Sequence, residues 1–352
     1  DPDSDGLPLG AREQRVVMHY EYDMLGNRIH QQSMEAGARW MVNDVSGQPI
    51  RAWDSRGHNF STAYDALRRP LAQTVRGTAD ESDPRTLDRD ILVDQTEYGE
   101  ILANAEDFNL RTRMYRHFDS AGVVTNARID DNGDPIKAYD FKGNLLHLTR
   151  RLVSDYKAIT DWSQNPHLEN ENFASSTRYD ALNRPIQTIA PHSSLPHARL
   201  NIIQPVFNEA NLLEGIDAWL ERPTEPSGLI DPQTDLPSPV GIVNVDYNAK
   251  GQRLRIDYKN GATTRYTYDP DTFRLIHLYT RRGSAFTADC INPNPPPATM
   301  ATPEKPRAGK PCGLQNLHYT YDPAGNITHI RDNAQQTIYF RNRQVDPSND
   351  YT

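Results

Sequence analysis

Along most of the chain, apolar and polar residues alternate in short runs, as in Val16-Val17-Met18-His19-Tyr20-Glu21-Tyr22, Arg39-Trp40-Met41-Val42 and Ile50-Arg51-Ala52-Trp53. A period of two sends neighbouring side chains to opposite faces, so each run predicts a β-strand with one face turned to a neighbouring layer. One recurring phrase punctuates the runs: an aromatic, then Asp or Asn, two variable residues, a Gly or polar turn residue, and an apolar residue shortly after. Its clearest copies are Tyr22-Asp23 with Gly26 and Ile29, Trp53-Asp54 with Gly57 and Phe60, Tyr139-Asp140 with Gly143 and Leu146, and Tyr321-Asp322 with Gly325 and Ile327.

The chemistry of the phrase is that of a hairpin turn. The aromatic ends a strand, the Asp accepts hydrogen bonds from backbone amides just ahead of it, and the Gly supplies the positive φ that reverses the chain. The closing apolar residue is expected opposite the opening aromatic, as a cross-strand pair that holds the register. In Tyr64-Asp65 and Tyr179-Asp180 the Gly is replaced by Arg68 or Asn183, and Asn tolerates the left-handed region fairly well. Phe118-Asp119 with Gly122, Ile129-Asp130 with Gly133, Phe207-Asn208 with Asn211, Tyr247-Asn248 with Gly251, and Tyr268-Asp269 with Leu275 extend the series, and Asn43-Asp44 with Gly47 fits without its aromatic. Starts at 43, 53 and 64, and again at 118, 129 and 139, are spaced by the pitch of one short strand plus one turn. The expected fold is all-β, a long antiparallel array of hairpins made by stacking one unit many times. Tyr22, Tyr64, Tyr139, Tyr179, Tyr247, Tyr268 and Tyr321 are expected to stack in register on a common face.

Composition agrees with this expectation. Only 36% of the 352 residues are hydrophobic, against 20 Gly and 26 Pro, which disfavours a broad helical core and suits a turn-rich array. The net charge of −9 is scattered, with Arg beside Asp throughout, and points to neither nucleic acid nor an anionic membrane. No stretch approaches the ~20 apolar residues that a membrane-spanning helix needs. The sequence opens on Asp1-Pro2-Asp3 with neither initiator Met nor signal pattern, and it stops at Asn349-Asp350-Tyr351-Thr352, where another repeat could start. A piece of a longer protein is expected.

The organisation that follows is a lead-in over 1–15, a first repeat block over 16–76, a polar linker over 77–90, further repeats over 91–289, a Pro-rich loop over 290–312, and last repeats over 313–352. Within the long block, inserts are expected at 152–174 and 221–239, the second holding five prolines that cannot join a ladder. Residues 103–115 suit either a short helix or a loop. Cys290 and Cys312 bracket the Pro-rich loop; a disulfide there would remove ~3 kcal/mol of unfolded-state entropy, and two unpaired thiols are the alternative.

The phrases Tyr139-Asp140-Phe141-Lys142-Gly143-Asn144, Tyr179-Asp180-Ala181-Leu182-Asn183-Arg184-Pro185, Asp246-Tyr247-Asn248-Ala249-Lys250-Gly251-Gln252 and Tyr319-Thr320-Tyr321-Asp322-Pro323-Ala324-Gly325-Asn326 resemble those of the RHS or YD-repeat family. Within it, the chain most resembles the repeat-bearing part of the B component of bacterial insecticidal toxin complexes and their single-chain relatives. The resemblance implies a sheet strip that spirals into a hollow shell around a toxic polypeptide. Its implied partners are the remaining repeats of the same longer protein, a second shell-forming component and the enclosed toxin, and its implied location is secreted or cell-surface. Family members often carry an aspartyl autoprotease. The Asp-Pro-x-Gly here, Asp322-Pro323-Ala324-Gly325, is accounted for as a repeat turn, so no catalytic residue, cofactor or metal is expected.

Asp130-Asp131-Asn132-Gly133-Asp134 begins like a calcium loop but lacks the distal Glu and coincides with a repeat turn. His192 and His197 flank a short loop without a third metal ligand. The carboxylates that would suit a glycosidase are the second residues of repeats. The alternative function is a cell-surface carbohydrate-binding or adhesive module, for which Trp40, Trp53, Tyr139, Trp162 and Trp219 would have to be exposed stacking platforms.

Overall fold

The computed structural model describes residues 16–77, 89–130, 132, 134–286, 289, 313–335 and 338–351. Cys290 and Cys312, and with them the expected disulfide, lie outside the described residues, as do Asp131 and Gly133 and most of the expected linker at 77–90. The chain divides into two compact units, residues 1–175 with 193–196 and residues 176–192 with 197–352.

Each unit is an antiparallel ladder in which alternating strands pair with their neighbours in sequence. The first runs Met18–Tyr22, Arg28–Ser33, Gly37–Asn43, Pro49–Asp54, Asn59–Tyr64, Pro70–Arg76, Ile91–Tyr98, Met114–Asp119 and Gly122–Thr125, each paired with the next. Gly122–Thr125 then pairs with His147–Val153. The second unit runs from Pro185–Ser193 through Leu200–Phe207, Leu213–Arg222, Gly241–Tyr247, Arg253–Tyr258, Thr263–Tyr268, Leu275–Arg281 and Gln315–Tyr321 to Ile327–Asp332 and Ser348–Asp350. The fold is all-β and antiparallel, as the alternation and turn spacing predict. Residues 103–115 hold no α-helix; a single 3₁₀ turn, Ala105–Phe108, leads into the strand Met114–Asp119.

Apolar clusters form where a non-repeating segment folds over one face of the ladder. Three apolar clusters show this. Ala105, Leu110, Tyr115, Ala127 and Ala138 pack beneath the segment at 99–113. Val123, Val153 and Trp162 join where the loop after His147–Val153 turns back. Ile189, Leu200, Ile202 and Trp219 are covered by the proline-rich segment after Leu213–Arg222, whose Ile230 packs on them. By contrast, Met18–Tyr22 and Arg28–Ser33 contain no buried residue.

The proline-rich segment is strapped down by polar side chains. Gln187 Nε2 donates to the Gly228 carbonyl at 3.0 Å, and Gln204 both donates to the Ile230 carbonyl at 3.0 Å and accepts the Ile230 amide at 2.8 Å. The Trp219 indole donates to the Asp235 carbonyl at 2.9 Å, and the Arg222 guanidinium meets the Asp235 carboxylate. Prolines that cannot enter the ladder thus form its cover.

Two of the aromatics that the adhesive alternative needs exposed are therefore buried. Trp219 is 1% exposed under this strap, and Trp162 is 8% exposed, with its ring edge-on to Phe118 at 4.9 Å and its indole donating to the Asp119 carbonyl at 3.0 Å. The reason is that large rings supply the apolar area that a one-layer sheet otherwise lacks. Replacing Trp219 with Ala should destabilise the second unit by ~3 kcal/mol or more in chemical denaturation; an unchanged midpoint would show that the strap adds no core.

Candidate functional site: the repeat turns

The turns share one geometry. In the first copy, Asp23 Oδ1 accepts the amides of Leu25 at 2.9 Å and Asn27 at 2.8 Å, while the Asp23 amide donates to the Asn27 carbonyl at 2.9 Å. The same pair of carboxyl or amide acceptor bonds recurs at Asp44 to Ser46 and Gln48, at Asp54 to Arg56 and His58, at Asp65 to Leu67 and Arg69, and at Asp180 to Leu182 and Arg184. Asn208 and Asn248 perform it with a neutral oxygen, to Ala210 and Leu212 and to Lys250 and Gln252. Asp140 accepts the Asn144 amide at 2.9 Å, and Asp322 accepts those of Gly325 at 2.6 Å and Asn326 at 2.8 Å.

Third after each of these acidic or amide residues, the backbone is left-handed. The angle φ is 83° at Gly26, 82° at Gly57, 96° at Gly143, 77° at Gly251 and 107° at Gly325; it is 63° at Arg68 and 64° at Asn183 and Asn211. The Tyr268-Asp269 copy is one residue longer, with Asp269 accepting from Asp271 and Thr272 and Phe273 taking the left-handed place at 59°. Phe118-Asp119 makes a tighter reversal, Asp119 pairing directly with Gly122.

The strand register differs from the expected apolar pairing. Tyr22 lies opposite Arg28, Trp53 opposite Asn59, Tyr64 opposite Pro70 and Tyr247 opposite Arg253; Tyr268 and Tyr321 do meet the aliphatics Leu275 and Ile327. In most copies the register slips just before the aromatic, so the carboxylate turn, and not an apolar pair, sets the alignment.

The turns are also linked to one another, through bonds that the sequence did not reveal. Tyr64 Oη donates to the Pro49 carbonyl at 2.8 Å, Tyr98 to Pro70 at 3.1 Å, Tyr139 to Met114 at 3.0 Å, Tyr247 to Leu213 at 2.7 Å, Tyr268 to Arg253 at 3.0 Å and Tyr321 to Leu275 at 2.7 Å. Each acceptor is the first residue of an earlier strand. The residue after the left-handed position reaches the next turn: Gln48 Nε2 donates to the Arg68 carbonyl at 2.9 Å, Gln252 Nε2 to Phe273 at 2.8 Å, and Arg184 to Asn211 Oδ1 at 2.8 Å. Arg68 returns an ion pair to Asp44 at 2.7 Å. Guanidinium groups cover the rings, Arg69 over Tyr98 at 3.8 Å, Arg184 over Phe207 at 4.6 Å and Arg113 over Tyr139 at 5.3 Å. The tyrosines do not stack ring on ring among the described residues. Turns on one edge are two strands, ~10 Å, apart, which a hydroxyl or a guanidinium bridges and two rings cannot. The signals available were the choice of Tyr over Phe and the polar residue that follows each Gly.

These bonds set the charge state of the aspartates. The Asn27 side-chain amide holds Asp23 below the usual carboxylate range, the Asn326 side chain does so for Asp322, and the Arg184 amide leads at Asp180. At Asp54, Asp65 and Asp140, burial pushes upward and the converging donors outweigh it.

A separate polar row lies inside the second unit. His277 and His318 are paired across strands, buried, and stacked at 4.3 Å, with Arg331 opposite His318 on the next strand. His277 Nε2 contacts Asn316 Oδ1 at 2.7 Å, whereas His318 Nδ1 and Arg331 Nε are buried with no hydrogen-bond partner among the described residues. Burial, with His277 and Arg331 beside it, pushes His318 down to about 4.

Three outcomes are expected from this geometry. Tyr321→Phe should lower stability by ~1 kcal/mol through its lost bond to Leu275, read by denaturant titration. Gly325→Val should cost ~1 kcal/mol or more because valine resists positive φ; equal melting of variant and parent would contradict the turn. His318 takes a proton near its ordinary value of 6.5 when unfolded and only near 4 when folded, so its contribution is complete above pH 6.5 and is lost as the pH falls toward 4. The turn aspartates lose theirs only below their ordinary value of 3.8. Melting followed from pH 7 to 4 should therefore decline, and less steeply in His318→Phe; identical slopes would remove His318 as the cause.

No family model matches the chain. It is 27% identical to the toxin subunit YenC2 of Yersinia entomophaga across 96% of its own length and 31% of that protein's, and 24% identical to YenC1 of the same organism across 95% and 29%. The chain thus spans about a third of the length of these relatives. Among solved structures, the crystal structure of TcdB2-TccC3 superposes with a TM-score of 0.64 at 24% identity, over 96% of this chain and 14% of that one. The Photorhabdus luminescens Tc holotoxin pore gives 0.64 at 24% identity over 96% and 13%. In repeat phrase, in antiparallel ladder and in relatives, the chain is similar to the RHS-type subunits of bacterial toxin complexes.

Proposed function

We propose that the chain is a non-enzymatic wall segment of an RHS-type shell that encloses a toxin polypeptide and takes part in its delivery. The observation that carries this is the rail of turn-to-turn bonds, Tyr hydroxyl to earlier strand and Gln or Arg to next turn, which stiffens a sheet one layer thick without a conventional core. Such a ribbon suits a wall. The carboxylates are engaged in the turns and held ionised, which suits acceptors of backbone amides and not general acids at neutral pH.

Partners are proposed on the same basis. Among the described residues Met18–Tyr22 pairs on one side only, with Arg28–Ser33, and Val17, Tyr22, Met24 and Leu25 in or beside it are more than half exposed. An open strand edge with apolar neighbours supports a further repeat of a longer protein laid beside it. A second shell-forming component and the enclosed polypeptide complete the assembly, and secretion or surface display follows from that role. The adhesive alternative retains Trp40, 43% exposed and stacked on His30 at 5.3 Å, but loses Trp162 and Trp219 to the interior.

The test uses the longer protein that contains this chain. A polypeptide fused at the position of the cargo should survive protease until the wall is denatured, and this chain expressed alone should self-associate and not be retained on a glycan array. Digestion of the cargo at the rate of the free polypeptide, or glycan retention of a monomer, would overturn the wall.

A further inference from the structure

A cavity of about 460 Å³ lies in the first unit, where the Asp54 turn meets the segment that carries Ile159. Its polar side is formed by Arg39, Arg56, His58 and Asp54, and its apolar side by Phe60 and Ile159 with their neighbours. The charges there are unlike those of the sibling turns. In three sibling turns an arginine is paired with a carboxylate: Arg68 with Asp44, Arg69 with Asp65 and Glu100, Arg184 with Asp180. Asp54 cannot do this. Its Oδ1 accepts the amides of Arg56 and His58, each at 3.0 Å, and its Oδ2 faces His58 Nδ1 at 3.0 Å.

Arg39 stands opposite Asp54 across the strands, yet among the described residues neither its guanidinium nor that of Arg56 has an ion-pair or hydrogen-bond partner. Two guanidiniums against one occupied carboxylate leave a net positive charge beside an apolar wall. His58, 7% exposed, is held by Asp54 and forms a fixed side of the pocket. A lone inorganic anion would leave Phe60 and Ile159 uncovered, and a purely apolar guest would leave the guanidiniums unmatched.

We propose that this pocket binds an organic carboxylate, its charged group held by Arg39 and Arg56 and its apolar body resting on Phe60 and Ile159. Paired donors on a guanidinium fit the two carboxylate oxygens, and a charge-assisted bond beside an apolar surface is stronger than one in open water. The carboxylate has two sources, a free small acid or the end of a polypeptide. The proposal stands apart from the wall reading, since a pocket of this kind needs only the first unit's own residues.

The experiment is ligand-observed saturation-transfer NMR on the full chain with 3-phenylpropionate, its neutral amide, and the peptide Gly-Gly-Phe with a free or amidated C-terminus. Binding of 3-phenylpropionate about tenfold or more tighter than its amide is expected, with a similar loss in Arg39→Gln/Arg56→Gln. A free-ended peptide that binds at least as well as the small acid would name a polypeptide terminus as the source, and preference for the small acid would name a metabolite-sized guest. Equal binding of acid and amide, no binding of either, or an undiminished signal in the double variant would overturn the proposal. Both arginines are exposed, and the acid-to-amide comparison needs no substitution.

Discussion

A carboxylate that accepts two amides from the next four residues is the interaction on which this protein depends. An unpaired backbone N–H at a reversal costs about as much as a lost hydrogen bond, and a sheet of short strands has a reversal every ten residues or so. The aspartate meets those donors locally, and the left-handed residue after it completes the bend. Each hairpin therefore closes without help from a core, which a one-layer ladder could not supply. The same bonds explain why the aspartates are numerous and yet chemically quiet: their lone pairs are committed and their charge is stabilised in place.

Closing each hairpin does not fix its neighbour, and a second set of contacts does that. Tyrosine hydroxyls reach the first carbonyl of an earlier strand, and the polar residue after the left-handed position reaches forward to the next turn. Where the two directions meet, as at the Asn248 turn, a turn is tied both to an earlier strand and to the next turn. Cation–π coverage adds to this where arginine follows the turn. The segments that break the repeat serve a different purpose, since they carry Leu110, Trp162 and Ile230 into local cores on the sheet.

Two places depart from the repeat in their polar pairing. At Asp54 the fourth residue is histidine, which takes the carboxylate and leaves two arginines facing a cavity. At His318 the ladder buries a ring nitrogen and an arginine Nε with no partner among the described residues. The second departs from the rule that buried polar groups are matched, and both sit on elements that otherwise obey the pattern.

The sequence by itself determined the strands, the turns and their spacing, because alternation, Asp-amide bonding and positive φ act within about ten residues. Tyr22-Asp23-Gly26 and Tyr321-Asp322-Gly325 are legible for that reason. It did not reveal that Tyr64 would bond Pro49, that Trp219 would lie under a proline-rich strap, or that Arg39 would join Arg56 around a cavity. Those contacts link residues tens of positions apart or on different strands, and no local propensity encodes which distant carbonyl a hydroxyl will meet. Only the tertiary structure decided them, since burial and partner choice are set by how the ladder brings separate turns and inserts together.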